Sequence, residues 1–509
     1  MAGLVRKVAS VGGFTLASRV LGFLRDVLTA QYLGAGPIAD AFFVAFRLPN
    51  HFRALFAEGA FNAAFVPMFS GVLVQDGREA ARRFAEQILA FLLAAQLALL
   101  VLFLLIMPWF MYVFAPGFAD EPAKFELAVV FTRITFPYLL FITLVALMGA
   151  VLNSLDRFTA AAAAPILLNL CLIGALLGLT PLLPSAGHAL AWGTFLAGIA
   201  EFLYLVWDCR RAGMSLRLVV PRLSPEIRRF LKVFGPAALG AGIVQISLFA
   251  DTLIASFLPT GSVSYLYYAD RLNQLPLGVI GIAIGTVLLP ELSRHLKRGD
   301  GPAASSSQNR AIELSLLLTL PAAAAFMVIA EPMLLTLFKR GAFDVADAHA
   351  SAQALIAYGF GLPAFVLIRS LVPGFYARGD TATPVRVAAA AVAANIALKL
   401  ALIGPFAHVG VALGTSISSW LNALLLAWLL RRRGLFQADV RLRRALPRLC
   451  LATLGAAAAM AAGRHYVGPA VFLGVLTERV GALALLIGIG GGAFFLIALA
   501  LGMRFNPRA

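Results

Sequence analysis

The chain alternates long apolar runs with short polar and basic segments. Each run is long enough for an α-helix to cross roughly 30 Å of hydrocarbon. The fourteen runs lie at residues 10–34, 38–73, 84–114, 126–152, 158–181, 188–208, 230–258, 263–293, 311–338, 350–376, 385–404, 408–430, 446–465 and 480–503. This pattern predicts an all-α polytopic membrane protein with 14 transmembrane helices.

Composition agrees with this class. The 509 residues are 61% hydrophobic and 13% charged, and the mean hydropathy is +0.90. Such a chain would leave too much apolar surface exposed to fold as a soluble globule. Cys171, Cys209 and Cys450 lie far apart and without metal-ligand spacing, so neither a disulfide framework nor a zinc site is indicated. The first apolar run carries arginines and follows no cleavage site, which favours a retained span over a signal peptide.

The basic residues predict the orientation in the membrane. One set of alternate loops holds 28 of the 41 Lys and Arg residues, and the opposite set holds 5. Cytoplasmic loops are enriched in Lys and Arg, so both termini are expected in the cytoplasm. The net charge of +17 is then explained by loops beside anionic headgroups. No nucleic-acid partner is needed to explain it.

The sequence also repeats itself at an offset of about 224 residues. The segment D-V-L-T-A-Q-Y-L-G-A-G at Asp26–Gly36 matches D-T-L-I-A-S-F-L-P-T-G at Asp251–Gly261, and later blocks follow in register. Six helices per repeat keep both copies in one orientation, so two pseudo-symmetric six-helix lobes should enclose a substrate site. The predicted domains are residues 1–211, residues 212–434, and two additional C-terminal helices in residues 435–509.

Ionisable residues are concentrated between Ser18 and Asn62, inside otherwise apolar helices. A charged side chain costs roughly 2.5–3.5 kcal/mol at the bilayer centre, so such residues usually face a bundle interior or a wet cavity. Pro49 and Pro276 follow Arg47 and Arg271 in equivalent helices. Each proline removes a backbone hydrogen bond and should kink or unwind its helix beside that cavity.

Several ordered blocks resemble one known family. They read S-R-V-L-G-F-L-R-D, D-A-F-F-V-A-F-R-L-P-N, F-A-E-G-A-F, A-P-G-F-A-D, I-T-F-P-Y, S-V-S-Y-L-Y-Y-A-D-R and P-G-F-Y-A-R. The chain is similar over nearly its whole length to the MurJ (MviN) family, the lipid II flippases of the multidrug/oligosaccharidyl-lipid/polysaccharide exporter superfamily. The resemblance implies a bacterial inner-membrane protein that carries undecaprenyl-pyrophosphate-linked disaccharide pentapeptide by alternating access. It also implies that the two additional helices form a groove for the isoprenoid tail.

The family's cavity residues carry over by motif, and their chemistry suits such a substrate. Guanidinium groups bind phosphate oxygens bidentately and stay charged at any working pH. We therefore expect four arginines to receive the pyrophosphate, and the acids and amides to contact sugar or peptide groups or to hold the arginines. In the alternative interpretation the charges pair with one another and only fix helix packing. The expected substrate-binding residues are Ser18, Arg19, Arg25, Asp26, Asp40, Asn50, Arg53, Glu58, Asp270 and Arg271, of which Arg19, Arg25, Arg53 and Arg271 form the pyrophosphate receptor.

A second constellation resembles the sodium site of some family members. It comprises Asp251, Asn395, Val411 and Thr415, with Lys399 where an acid is expected. Oxygen-ligand cation sites do not easily tolerate an ammonium group. Lys399 is therefore predicted to pair with Asp251 and to replace the ion, so that no cofactor is required. In the alternative, Lys399 snorkels to a headgroup.

Membrane potential is the expected driving force, since it acts on each transported charge by about 2.3 kcal/mol per 100 mV. Lipid II and membrane lipids are the expected partners of a monomer, and cell-wall synthesis or division proteins are further candidates. Three rival functions are a drug or cation antiporter, a flippase for another lipid-linked oligosaccharide, and an enzyme acting on isoprenoid phosphates. The antiporter would favour an acidic cavity, and the enzyme would need catalytic acids, for which the chain offers no D-D-x-x-D cluster.

Overall fold

The structure, a computed structural model, describes residues 2–56 and 60–503, and this part of the chain consists mainly of α-helices, with short 3-10 and π-helical segments and loops between them. The helices follow the apolar runs, because a helix satisfies its backbone hydrogen bonds within the segment. They are α1 Ala2–Leu33, α2 Pro37–Phe56, α3 Ala60–Gln75, α4 Gly77–Phe114, α5 Pro122–Thr135, α6 Tyr138–Ser154, α7 Thr159–Gly178, α8 Ala186–Arg211, α9 Pro225–Ser256, α10 Ser262–Pro276, α11 Ile282–Lys297, α12 Gly301–Val328, α13 Ala330–Leu337, α14 Val345–Tyr376, α15 Ala382–Arg432, α16 Val440–Val467 and α17 Leu476–Ala500.

The predicted all-α membrane class is confirmed. Within the described ranges, 10 helical segments are long and apolar enough to cross a membrane, judged by length and composition alone. Several predicted runs correspond to two consecutive helices, such as α5 with α6 and α12 with α13. The count of fourteen is consistent with these helices and stays a prediction.

The 51 residues of α15 form two antiparallel arms rather than one rod. The backbone turns at Ala407, where φ is 47° and ψ is −129°. Nη1 of Arg433 lies 2.6 Å from Oδ2 of Asp380, so the two ends of α15 meet. A straight helix of this length would separate them by roughly 77 Å at 1.5 Å per residue. The runs at residues 385–404 and 408–430 therefore lie in separate arms.

The two prolines predicted to disturb their helices behave differently. At Pro276 the α-helix ends, and Leu277–Gly281 continue as a π-helix before α11, as expected when a proline removes a hydrogen bond. Pro49 instead lies within α2, which continues to Phe56. The prediction of a kinked or unwound helix is thus confirmed at Pro276, whereas α2 continues past Pro49 and a kink there stays a prediction.

The chain divides into two compact units, Met1–Val263 and Ser264–Ala509. In the first unit, α1 packs on α7, α2 packs on α5, and α9 packs on α2, α3 and α4. In the second unit, α14 packs on α12 and α15, while α16 and α17 pack on each other and on α12. The two compact units are defined by how the residues pack, whereas the predicted lobes are defined by the internal sequence repeat. The units therefore do not test the boundaries of the lobes. The domain boundaries at 211/212 and 434/435 and the tail groove stay predictions.

Candidate functional site

Arg25 is buried in the middle of the apolar helix α1, with 8% of its surface exposed. Oδ1 of Asp26 accepts hydrogen bonds from Nε of Arg25 at 3.1 Å and from Nη2 at 2.7 Å. The guanidinium carbon also lies 5.9 Å from the centre of the Phe46 ring on α2, within the range of a cation–π contact. A buried charge needs such partners, since its desolvation is otherwise uncompensated.

A residue from α7 completes this arrangement. Oδ1 of Asn169 accepts a hydrogen bond of 3.0 Å from Nη1 of Arg25. Nδ2 of Asn169 donates to the backbone oxygen of Ser18 at 3.0 Å. The amide therefore joins two predicted site residues of α1 to α7. The sequence interpretation did not select Asn169, although an amide within the apolar run 158–181 was its available signal.

Asp40 lies in the first turn of α2 and is almost completely buried, with 1% of its surface exposed. Its Oδ2 accepts a 2.7 Å hydrogen bond from the backbone N–H of Gly261. Gly261 has φ of 96°, a conformation that glycine adopts without steric cost. The expectation that Asp40 contacts substrate or an arginine stays a prediction beside this observed backbone contact.

The other predicted residues of α2 lie toward its end. Nδ2 of Asn50 donates to the backbone oxygen of Phe46 at 2.8 Å, the bond one turn back that polar side chains often make within helices. Arg53 is half-buried in the last turn. Glu58 lies outside the described residues.

A cavity of about 470 Å³ lies between α1, the end of α6 and the start of α7. Its polar lining consists of Thr15, Ser18, Arg19 and Asn153, and its apolar lining includes Phe158. The structure thus brings Ser18 and Arg19 to one cavity. A cavity with a guanidinium and three uncharged polar groups suits an anionic ligand that carries hydroxyl or amide groups.

Two more predicted residues lie in α10. The guanidinium carbon of Arg271 stands 4.5 Å from the centre of the Tyr267 ring. Oδ2 of Asp270 accepts a hydrogen bond from Nε2 of Gln274. Both residues belong to the second compact unit. The predicted grouping of Arg271 with Arg19, Arg25 and Arg53 stays a prediction.

The predicted ion-site residues of α15 are buried together. Lys399 is completely buried, and Asn395 and Val411 are nearly so. Oγ1 of Thr415 donates to the backbone oxygen of Val411 at 3.1 Å. A Cβ atom on Gly414 would lie 2.8 Å from Cγ of Lys399, so the two arms of α15 meet closely at this lysine.

The complete burial of Lys399 argues against the alternative in which this lysine snorkels to a headgroup. A snorkelling lysine keeps its charged head in water, whereas this side chain has no exposed surface. Asp251 is half-buried in α9 of the first unit. Its pairing with Lys399 stays a prediction.

Comparison with known proteins decides the family. The model of the family described as "Lipid II flippase MurJ" matches residues 29–481. The chain belongs to the MurJ family of lipid II flippases. A probable lipid II flippase MurJ of Rhizobium meliloti is 45% identical over 507 residues, covering 98% of this chain and 94% of the relative. A lipid II flippase MurJ of Burkholderia cenocepacia is 37% identical over 438 residues, covering 85% of each chain.

Solved structures agree with this assignment. A MurJ structure in an inward closed conformation superposes with a TM-score of 0.80 at 25% identity, covering 96% of this chain and 99% of that chain. An inward-facing multidrug transporter of the MATE family has a TM-score of 0.69 at 16% identity, covering 82% and 94%, and shows the fold alone. Members of the MurJ family are transporters, so the rival interpretation as an enzyme is excluded.

One buried polar pair of the first unit joins the last residue of the I-T-F-P-Y block to a residue outside all the quoted blocks. Tyr138 in α6 donates through its hydroxyl to Oε2 of Glu201 in α8 at 3.3 Å. Glu201 has 1% of its surface exposed. Its only sequence signal is a carboxylate within the apolar run 188–208. This hydrogen bond gives the buried carboxyl group a partner and joins α6 to α8.

Proposed function

We propose that this chain moves lipid II from the cytoplasmic to the periplasmic leaflet of the bacterial inner membrane by alternating access. The observation that carries the proposal is the family match across residues 29–481, together with relatives named as lipid II flippases that align with nearly the whole chain. Both termini are expected in the cytoplasm. The protein is expected to act as a monomer on a single lipid-linked substrate.

The burial and hydrogen bonds of Arg25 support a role for this residue in binding the pyrophosphate. It is a buried guanidinium inside an apolar helix, and one carboxylate oxygen of Asp26 accepts from two of its nitrogens. A phosphate oxygen offers the same kind of acceptor with a larger charge, so the substrate can compete for these donors. Arg19, Arg53 and Arg271 are the other arginines proposed for this receptor, and Ser18, Asp40, Asn50, Glu58 and Asp270 are proposed for the remaining polar groups.

Membrane potential is the proposed driving force. A cell-negative interior favours outward movement of each substrate charge by about 2.3 kcal/mol per 100 mV. The same field draws the empty arginine-lined cavity back toward the cytoplasm. The buried Lys399 is proposed to take the place of a sodium ion in this cycle.

The proposal is tested in cells depleted of their own flippase. Wild type should restore access of lipid II to an external probe, and Arg25→Ala should not, although it reaches the membrane at the same level. Arg133→Ala is the matched control, because Arg133 also lies in an apolar helix but is exposed. Failure of correctly inserted wild type would contradict the proposal and make another lipid-linked sugar the leading substrate. Full transport by Arg25→Ala would refute the role of Arg25 alone.

A further inference from the structure

The segment that joins α8 to α9, residues 212–224, begins with a turn at residues 212 and 213 and continues as a non-helical strip, which we call the ribbon. Its sequence is A-G-M-S-L-R-L-V-V-P-R-L-S. Pro221 disfavours helical backbone at Val220, and the β-branched pair Val219 and Val220 also favours an extended chain. Local sequence therefore explains why the two long helices are joined by a non-helical strip.

The inner side of this ribbon is fixed to the protein. Oε1 of Glu86 in α4 accepts a 3.0 Å hydrogen bond from the backbone N–H of Arg217. Oε1 of Gln87 accepts one of 2.9 Å from the backbone N–H of Arg222. Met214 is buried in a core cluster of the first unit. These contacts determine which side chains of the ribbon point outward.

The outer side is both apolar and basic. Leu218, Val220 and Leu223 have 72%, 74% and 57% of their surface exposed. Arg217, directly before Leu218, and Arg222, directly before Leu223, are exposed as well. The flanking helix ends add further arginines at positions 210, 211, 228 and 229. Exposed apolar side chains alternating with cations are typical of a surface that meets a membrane interface.

The depth of the ribbon follows from its backbone. Lipid-exposed backbone outside a helix does not occur in the hydrocarbon region, because its polar groups lack partners there. The backbone of the ribbon is therefore excluded from the hydrocarbon region, and the side chains at its start indicate the headgroup level. At the end of α8, the guanidinium carbon of Arg211 stands 5.4 Å from the centre of the exposed Trp207 ring. Tryptophan is enriched at this level of membrane proteins, which places the start of the ribbon at the same interface.

We propose that the outer face of this ribbon binds the headgroups of anionic phospholipids, with Leu218, Val220 and Leu223 inserted at the acyl boundary. The occupant is a lipid surface because the ribbon is continuous with apolar helices on both sides and carries the opposite charge. Each basic residue near an anionic surface contributes about 1 kcal/mol, which corresponds to about fivefold enrichment of the anionic lipid.

The test uses full-length protein in which Cys171, Cys209 and Cys450 are replaced by alanine. A fluorescent label is attached through Val220→Cys, and the protein is placed in nanodiscs that contain brominated phosphatidylglycerol or brominated phosphatidylcholine at equal fractions. Brominated phosphatidylglycerol should quench the label more strongly. The double variant Arg217→Gln/Arg222→Gln should lose this difference while its melting temperature stays unchanged, because both side chains are exposed.

A label attached through Leu182→Cys is the control, because Leu182 is exposed in the connection between α7 and α8, which has no Lys or Arg, and it should be quenched equally by both lipids. Equal quenching at position 220 by the two lipids would overturn the proposed charge selection. Strong quenching of position 220 by aqueous iodide, with little quenching by either lipid, would show that the face is not membrane-bound and would reject the proposal entirely.

Discussion

Nη1 of Arg25 in α1 lies 3.0 Å from Oδ1 of Asn169 in α7, although the two residues are 144 positions apart in the chain. The same amide donates to the backbone oxygen of Ser18. Asn169 therefore orients the buried guanidinium group of Arg25 and connects α7 to α1. The proposed pyrophosphate receptor depends on a side chain that does not belong to the charged segment between Ser18 and Asn62.

We expect Asn169→Ala to lower both stability and transport. A buried hydrogen bond to a charged group contributes about 1.5–3 kcal/mol, so the free energy of unfolding should fall by about that amount. Transport per inserted molecule should fall because Arg25 loses its orientation. The measurements are unfolding of the purified protein in detergent and access of lipid II to an external probe in depleted cells.

The control for this prediction is Leu170→Ala. Leu170 is next to Asn169 in sequence but exposed on α7, so its loss should change neither quantity appreciably. Wild-type transport by Asn169→Ala would show that the orientation of Arg25 does not matter for the substrate.

The helices could be predicted from the sequence because a bilayer permits few backbone structures. Every span must satisfy its own backbone, so the length of an apolar run nearly suffices to predict a helix. The sequence predicts separate runs before and after Ala407, and the backbone turns at that residue. The family blocks were equally informative, because they are specific strings at fixed spacing.

The same reasoning could not find partners that depend on tertiary approach. Asp40 was selected as a charged residue inside a helix, but its observed partner is the backbone N–H of Gly261, which has no residue-specific signature. Asn169 and Glu201 were missed because a single polar residue in an apolar run does not reveal what it faces. Their roles depend on which helix packs alongside, and this is decided by the fold.

The second prediction concerns Gly117, which lies in the loop after α4 and closely approaches α9. The backbone N–H of Gly117 donates to Oγ of Ser256 at 3.1 Å, and a Cβ atom at Gly117 would lie 2.4 Å from the backbone oxygen of Ser256. Gly117→Ala should therefore force the loop away from α9 and lower the free energy of unfolding by about 1–3 kcal/mol. The melting temperature of the purified protein measures this loss.

Gly174→Ala is the matched substitution. Gly174 lies within α7 and an added Cβ would meet no atom within 4 Å, so alanine should be neutral or stabilising there, as it generally is in helices. If both variants melt at the same temperature, the close approach of Gly117 to Ser256 does not contribute to stability.

Asp380 predicts a dependence of stability on pH. Hydrogen bonds from the Thr383 hydroxyl and backbone N–H, followed by the bond from Arg433, lower the pKa of this carboxyl from 3.8 to about 2. Because the pKa is lower in the folded state, the stabilisation is complete above about pH 4 to 5 and is lost as the pH falls toward 2. The melting-temperature difference between wild type and Asp380→Asn should be constant from pH 7 to about pH 5 and should shrink below that.

The variant Arg433→Gln separates the contribution of the ion pair from that of the Thr383 hydrogen bonds. It removes the ion pair at 2.6 Å but keeps the hydrogen bond from the Thr383 backbone N–H to Oδ1 of Asp380 at 2.9 Å. Its effect should therefore be smaller than that of Asp380→Asn over the same pH range. A difference from wild type that grows as the pH falls from 5 to 3 would contradict the predicted sign.

The last prediction concerns the completely buried Lys399. If its ammonium group replaces an ion, transport by the wild type should be the same in sodium and in potassium. Lys399→Asp places an oxygen ligand one helical turn from Asn395. Hard oxygen ligands favour a hard cation, so transport by this variant should rise with sodium. Initial rates of lipid II flipping in proteoliposomes, with the two salts exchanged, provide the measurement.

Lys399→Met keeps most of the side-chain volume and removes the charge, which distinguishes the ammonium group from simple packing. It should leave the proposed partner Asp251, which is half-buried, without a compensating charge and should therefore lower the melting temperature. Asp251→Asn in the same background should recover part of that stability, because it removes the uncompensated carboxylate. Wild-type transport that increases with sodium and is lost in Asp251→Asn would show instead that an ion binds despite the lysine. The buried lysine would then be a feature of helix packing between the two arms of α15, where Gly414 leaves room for the base of its side chain.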